Sequence, residues 1–181
     1  MYAKVELAPG DPVRTMLLRF QGARRNARNV SQTGEVLLAG KRSVSLDAKD
    51  AAGKARLLAM LADADVLVTN VRVSALQRLG LDYRQLKEAC PQLVFAHVTA
   101  WGRAGPDVDL PGFDIGAFWS ASGIAHGTHG PYMHSAYPVG FGDMATGAGL
   151  VGGIGLALTR RLLTGRGSLV ENALYRYWLT Y

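Results

Sequence analysis

Cysteine is nearly absent from this sequence: Cys90 is the only one in 181 residues, so no internal disulfide can form and a reducing compartment is expected. Standing just before Pro91, a lone thiol reads as packing. The first residues are polar and charged and lack the apolar segment of a secretory signal. Long hydrophobic runs are missing too: the longest uncharged one, residues 144–159, falls short of the roughly 20 residues of a membrane span. A soluble, cytoplasmic chain is the expectation, mitochondrial or peroxisomal if the source is eukaryotic. Neither a phosphate loop of the G-x-x-x-x-G-K-[ST] type nor a G-x-S-x-G nucleophile elbow is present, which removes the support for P-loop and serine-hydrolase chemistry.

Acids are scarce relative to bases, 14 Asp plus Glu against 20 Lys plus Arg, for a net charge of +6. Ten of the bases fall between Arg14 and Arg56, among only three acids. Such a basic lobe is either a solvated surface or an anion site, with a polyphosphate and a nucleic acid both open on charge alone. A nucleic-acid reading is weakened because Phe20 is the sole aromatic interleaved with those bases. With 49% hydrophobic and 19% charged residues the chain can build a core, and its length suits one domain better than two.

Local patterns predict an α/β fold. Residues 3–7 read as a strand stopped by the turn cluster at Pro9–Pro12, and residues 43–46 alternate like another, with Asp47 and Asp50 placed to cap a helix over 51–64. A buried strand is expected at 66–69, helices at 74–79 and 82–90, and a strand at 93–99. Strands separated by helices imply a parallel sheet, with ligands bound at the carboxyl ends near Asp47, Asn70 and Ala100–Gly102. From Trp101 to Gly142 glycine and proline interrupt any regular pattern, as in segments that carry function. A glycine-rich helix over 144–163, a strand at 168–171 and a final helix running into Tyr181 complete the chain.

Gly147, Gly149 and Gly152 match the dinucleotide fingerprint G-x-G-x-x-G, with Glu171 a further 19 residues on. That motif requires a buried strand before its first glycine, and residues 140–146 supply an acid and two glycines instead. Close helix packing through small residues is the reading preferred here. His126, His129 and His134 lie in one loop but have no cysteine or free acid nearby, so no metal site is assigned. Asp143 is the chemical residue of most interest. Following Gly142 at a helix start, it is either an ordinary N-cap or an ionised carboxylate able to attack an acyl carbon.

A series of segments resolves that choice. Lys4-Val5-Glu6-Leu7 with Gly10-Asp11-Pro12-Val13-Arg14, then Gly40-Lys41-Arg42-Ser43-Val44-Ser45-Leu46-Asp47, resemble K-V-E-x-P-x-G-D-x-x-R and G-K-R-S-V-x-L-D of the class III CoA-transferases. Ala64–Arg72 with Leu76–Leu81 is similar to A-D-V-x-x-x-N-x-R and L-x-R-L-G-L. Gly102–Pro106, Pro111–Asp114, Gly142-Asp143 with Thr146-Gly147, and Thr164–Gly167 follow in the family's order. The group includes formyl-CoA and carnitine-CoA transferases and alpha-methylacyl-CoA racemase.

The resemblance implies a Rossmann-like parallel sheet with flanking helices, incomplete relative to the family's large domain. Residues 1–100 would be the CoA-binding α/β part, 101–142 the active-site loops, and 143–181 a helix, a strand and a truncated helix. It implies an interlocked homodimer of longer chains, no tightly bound cofactor, and coenzyme A thioesters and a carboxylic acid as substrates. Asp143 would carry the acyl group, while Arg14, Arg42, Asn70, Arg72 and Arg78 would contact the phosphates and adenosine of CoA. Gly140 and Gly142 would leave room for the acyl group beside Phe113 and Asp114. Transfer through an aspartyl intermediate is the expected reaction, with racemisation or a non-catalytic CoA-binding fragment as alternatives. The racemase branch has a histidine where Phe113 stands, and racemisation needs two proton-transfer groups, so the substitution favours transfer. The chain alone is expected to be inactive and prone to self-association.

Overall fold

The computed structural model describes residues 2–6, 10, 38–129, 137, 138 and 140–176, and divides into two compact units, Met1–Ala59 and Met60–Tyr181. In the first, β1 (Tyr2–Glu6) pairs in parallel with β2 (Lys41–Ser45), Val5 standing opposite Val44. Both strands begin earlier than alternation alone predicts, because backbone pairing carries β2 back through the charged pair Lys41 and Arg42. The Asp50 carboxylate accepts the Gly53 N–H at 3.1 Å and starts α1 (Ala51–Ala62).

The second unit is built on a three-stranded parallel sheet in the order β3–β4–β5, comprising Val66–Thr69, Val94–Thr99 and Leu169–Ala173. Between β3 and β4 run α2 (Val73–Leu79), closed by Gly80 in the left-handed conformation, and α3 (Tyr83–Ala89), which begins after Asp82. Central β4 is enclosed on both faces: Val94, Phe95, Ala96 and His97 are all buried, as expected for the middle of a parallel sheet. Leu61, Leu76, Leu81, Leu86 and Leu93 join the buried core; each fully buried leucine contributes about 2 kcal/mol of hydrophobic stabilisation. Register places Thr69 beside His97 and Thr99 beside Ala173, so the carboxyl ends of all three strands share one edge.

The stretch after β4 is more ordered than its glycine and proline content predicts. It holds a π-helix (Asp114–Ala121) and α4 (Ile124–His129). Ala117, Phe118, Trp119, Ile124 and Leu174 form a second apolar cluster there, with Trp101, Tyr137 and Ala145 packed against it. The long helix α5 covers Phe141–Thr164 and packs on β4, β5 and the π-helix. Its 24 residues exceed the expected span, and by length and composition alone it is apolar enough to cross a membrane. Its Gly153 lies flush on Val170 of β5, whereas Met144, Val151, Leu156, Leu162 and Leu163 are exposed.

The fingerprint glycines sit inside α5, away from any strand-to-helix turn. Their packing explanation is corrected, however: a Cβ at Gly147 or Gly152 would meet nothing within 4 Å. The tight contacts are at Gly142 and Gly153. The end of the chain turns at residues 174–176, and the predicted final helix lies largely outside the described residues.

Candidate active site

Helix α5 begins with an unusual cap. Gly140, at φ 82°, occupies the N-cap in a left-handed conformation that a side chain would strain, and it offers no side-chain oxygen of its own. The missing acceptor comes from the π-helix. The Asp114 carboxylate, almost fully buried, takes the Gly140 N–H at 2.6 Å and the Gly142 N–H at 2.9 Å. Asp143 is therefore not the N-cap. It stands in the first turn of α5, with its side chain exposed while its cap is provided from elsewhere.

The neighbourhood of Asp143 opposes its ionisation. Partial burial of the carboxyl raises its pKa above the ordinary aspartate value, and the Asp114 carboxylate adds a like charge. The positive end of α5 works the other way. Around them sit aromatic rings: Trp119 stacks on Tyr137 at 4.7 Å between centroids, and Phe141 lies 5.6 Å from Trp119 and 6.2 Å from Phe118. Phe141 is half exposed, which leaves an apolar surface two residues from Asp143.

The two glycines beside Asp143 differ. A Cβ on Gly140 would enter open space, whereas one on Gly142 would collide with the Asp114 carboxylate and the Phe118 side chain. The space at Gly142 is thus filled by protein and not left for an acyl group. Phe113 projects outward, 82% exposed, directly before the buried Asp114.

Asn70, Arg72 and Arg78 lie along one segment from the end of β3 through α2, and all three are exposed. Arg42 is exposed on β2 in the other unit, and Arg14 lies outside the described residues. Two clefts, of about 450 and 270 Å³, open at the carboxyl ends of β4 and β5. Trp101, Pro106, Tyr175 and Arg176 line the first, and Thr99, Glu171, Asn172 and Arg176 line the second; Asp143 lines neither. Among the described residues no group of three His, Cys, Asp or Glu side chains converges to hold a metal. His134 and the His129 side chain fall outside them.

One set of residues escaped the sequence reading altogether. His97, fully buried on β4, is bonded to the Val71 carbonyl at 2.8 Å and to Arg103 at 2.5 Å. Arg103 also pairs with Asp82 at 2.6 Å. Burial alone would push the Asp82 pKa up, but the hydrogen bond and charge of Arg103, together with hydrogen bonds from the Tyr83 and Arg84 backbone, outweigh it and hold Asp82 below the usual carboxylate value. Only the apolar setting of His97, inside a strand, marked it in the sequence.

The described geometry is thus a parallel α/β unit with exposed basic residues beyond the end of β3 and a carboxylate in the first turn of a glycine-flanked helix. The chain belongs to CoA-transferase family III, whose sequence profile matches residues 3–181. It is 39% identical over 95% of its length to cinnamoyl-CoA:phenyllactate CoA-transferase of Clostridium sporogenes, and 34% identical over 95% to (R)-2-hydroxy-4-methylpentanoate CoA-transferase of Clostridioides difficile, covering 43% of each. A solved CAIB/BAIF family protein from Brucella suis superposes with a TM-score of 0.83 at 29% identity, over 97% of this chain and 46% of that one. The chain thus spans less than half the length of the relatives it matches.

Proposed function

We propose that this chain serves acyl-CoA to carboxylic acid CoA transfer, with Asp143 as the acyl-carrying group. The observation that carries this reading is an exposed carboxylate at the start of α5 whose surroundings leave it poorly stabilised as an anion, and so more reactive toward an acyl carbon. One Asp143 oxygen attacks the donor thioester carbonyl, the carbon–sulfur bond breaks, and CoA leaves as thiolate from an acyl-aspartyl anhydride. The thiolate then attacks the Asp143 carbonyl, expelling the donor acid and leaving an aspartyl-CoA thioester. The acceptor carboxylate runs the same two exchanges in reverse and regenerates Asp143, with no further reactant consumed. Asn70, Arg72 and Arg78, exposed along one segment, would hold the phosphates and adenosine of CoA. Family membership supports this assignment.

Racemisation gains nothing from the geometry, since the outward-facing Phe113 carries no proton to transfer. Assembly as a homodimer and a cytoplasmic location belong to the same proposal. The exposed apolar residues of α5 favour assembly, because a soluble protein seldom leaves such a face uncovered; analytical ultracentrifugation tests it. The test of mechanism is chemical. In an enzyme carrying this segment at the relatives' full length, hydroxylamine or borohydride should trap the aspartyl intermediate, and Asp143→Asn should cut transfer by about a thousandfold or more while CoA affinity stays within about twofold. Normal turnover by the Asn variant would sink the proposal.

A further inference from the structure

We propose that His97 is a positioning residue for the coenzyme loop: its Nε2–H, donated to the Val71 carbonyl, sets the path of Asn70–Arg72, and Arg103 enforces the tautomer that makes this donation possible. The inference rests on the reading of Asn70 and Arg72 as CoA contacts.

The tautomer follows from the partners. A carbonyl oxygen can only accept, and a guanidinium can only donate. Nε2 of His97 faces the Val71 carbonyl at 2.8 Å and Nδ1 faces the Arg103 guanidinium at 2.5 Å, so the proton sits on Nε2 and Nδ1 accepts. Arg103 is itself held on two further sides, by Asp82 at 2.6 Å and by Glu171 on β5 at 3.8 Å. Its guanidinium also lies 5.7 Å from the centre of the Phe95 ring. Asp82 is fixed in turn as the residue opening α3, with its own N–H given to the Gln85 side chain at 3.1 Å. The polar groups around His97 thus come from separate segments, while the Phe95 ring of β4 itself meets the imidazole edge-on at 6.0 Å.

The carbonyl that receives the proton matters because of where it lies. Val71 stands between Asn70 and Arg72, beyond the last residue of β3, where sheet pairing has ended and α2 has not begun. A second bond, from the Val71 N–H to Thr69 Oγ1 at 3.2 Å, bends the same residue. Removing the donor would leave the Val71 carbonyl without its buried partner and let Asn70 and Arg72 wander from a shared ligand. Protonating His97 would keep the Nε2–H but set an Nδ1–H and a second positive charge against Arg103, breaking the contact that orients the ring. Burial holds the His97 pKa below its ordinary value and guards against this.

The test measures CoA binding by calorimetry in the parent, His97→Phe and His97→Gln, with the melting temperature of each. Loss of the donor in His97→Phe should weaken CoA about tenfold, the equivalent of one hydrogen bond. His97→Gln keeps an N–H near the position of Nε2 and should recover most of that loss. In the turnover of an enzyme of the relatives' full length, the Phe variant should raise KM and leave kcat nearly unchanged, because Asp143 is untouched. Nitrogen NMR of the unmodified protein gives a check that needs no variant: His97 should show the Nε2–H tautomer. An Nδ1–H tautomer, or Phe and Gln variants that melt lower but bind CoA like the parent, would overturn the proposal. A parent that binds no CoA would sink the coenzyme reading itself, and this inference with it.

Discussion

The start of α5 and the loop after β3 are both fixed by buried polar groups, yet they are built on opposite plans. At the loop, both nitrogens of His97 are engaged and Arg103 carries charge to Asp82 and Glu171, so attraction holds the backbone. At α5, a single carboxylate, Asp114, secures two backbone N–H groups, and the same carboxylate repels Asp143. The comparison separates binding from reactivity. A loop meant to hold a ligand gains from satisfied partners, while a nucleophile gains from being left partly unsatisfied.

The largest expected effect tests whether the α5 start is as tightly built as the loop. Gly142→Ala would drive a methyl group into Asp114 and Phe118, displacing the cap and the aromatic cluster together. A loss of about 2–4 kcal/mol in denaturant unfolding is expected, in the upper range of overpacking costs. Gly147→Ala, one and a half turns on and facing open space, should instead stabilise the helix by about 0.5–1 kcal/mol. Equal responses at the two positions would mean that the contact at Gly142 is easily relieved and the α5 start is soft.

These two regions also show how far the sequence could be read. Strands β3 and β4 are legible because Val66–Thr69 and Val94–Thr99 are largely apolar runs, each preceded by clear helix signals. Asp143 was legible through its flanking glycines and its family motif. The cap of α5 was not, since Asp114 reaches Gly140 and Gly142 across 26 and 28 residues and no local rule connects them. Hence the sequence pattern predicts the helix over 144–163, while the structure starts it at Phe141. The His97 network is hidden for the same reason: its four charged or polar members come from β4, β5, the loop after β4 and the start of α3. The π-helix was missed because Gly116 and its surroundings resemble loop, and what organises them is the burial of Ala117, Phe118 and Trp119.

A smaller effect sharpens the contrast in polar satisfaction. Thr146, on α5 near Asp143, is fully buried, and its hydroxyl has no hydrogen-bond partner, although its carbonyl accepts from the Asn172 side chain at 2.9 Å. The equivalent state does not arise at His97. Thr146→Val keeps the shape and removes the unpaired hydroxyl, so it should stabilise the protein by about 1 kcal/mol. A loss of stability would show that the hydroxyl has a partner in solution and that α5 is held more like the loop.

The smallest effect concerns the price of keeping Asp143 ionised, and its sign is fixed by linkage. The native pKa lies above the unfolded value of 3.8, so between those two values the native state binds more protons than the unfolded chain. Stability from this group is therefore complete below the unfolded value and falls as pH rises to the native one. Above that, ionised Asp143 is a constant burden, modest because the side chain is exposed and solvent screens it. Asp143→Asn removes the charge and the repulsion from Asp114 in one step. The variant should melt at a higher temperature than the parent at neutral pH, and the difference should close as the pH is lowered toward 3.8. Thermal scans across that range check it. If Asp143→Asn is less stable at neutral pH, attraction to the α5 N-terminus outweighs desolvation, and the nucleophile is held by the same attractive logic as the coenzyme loop.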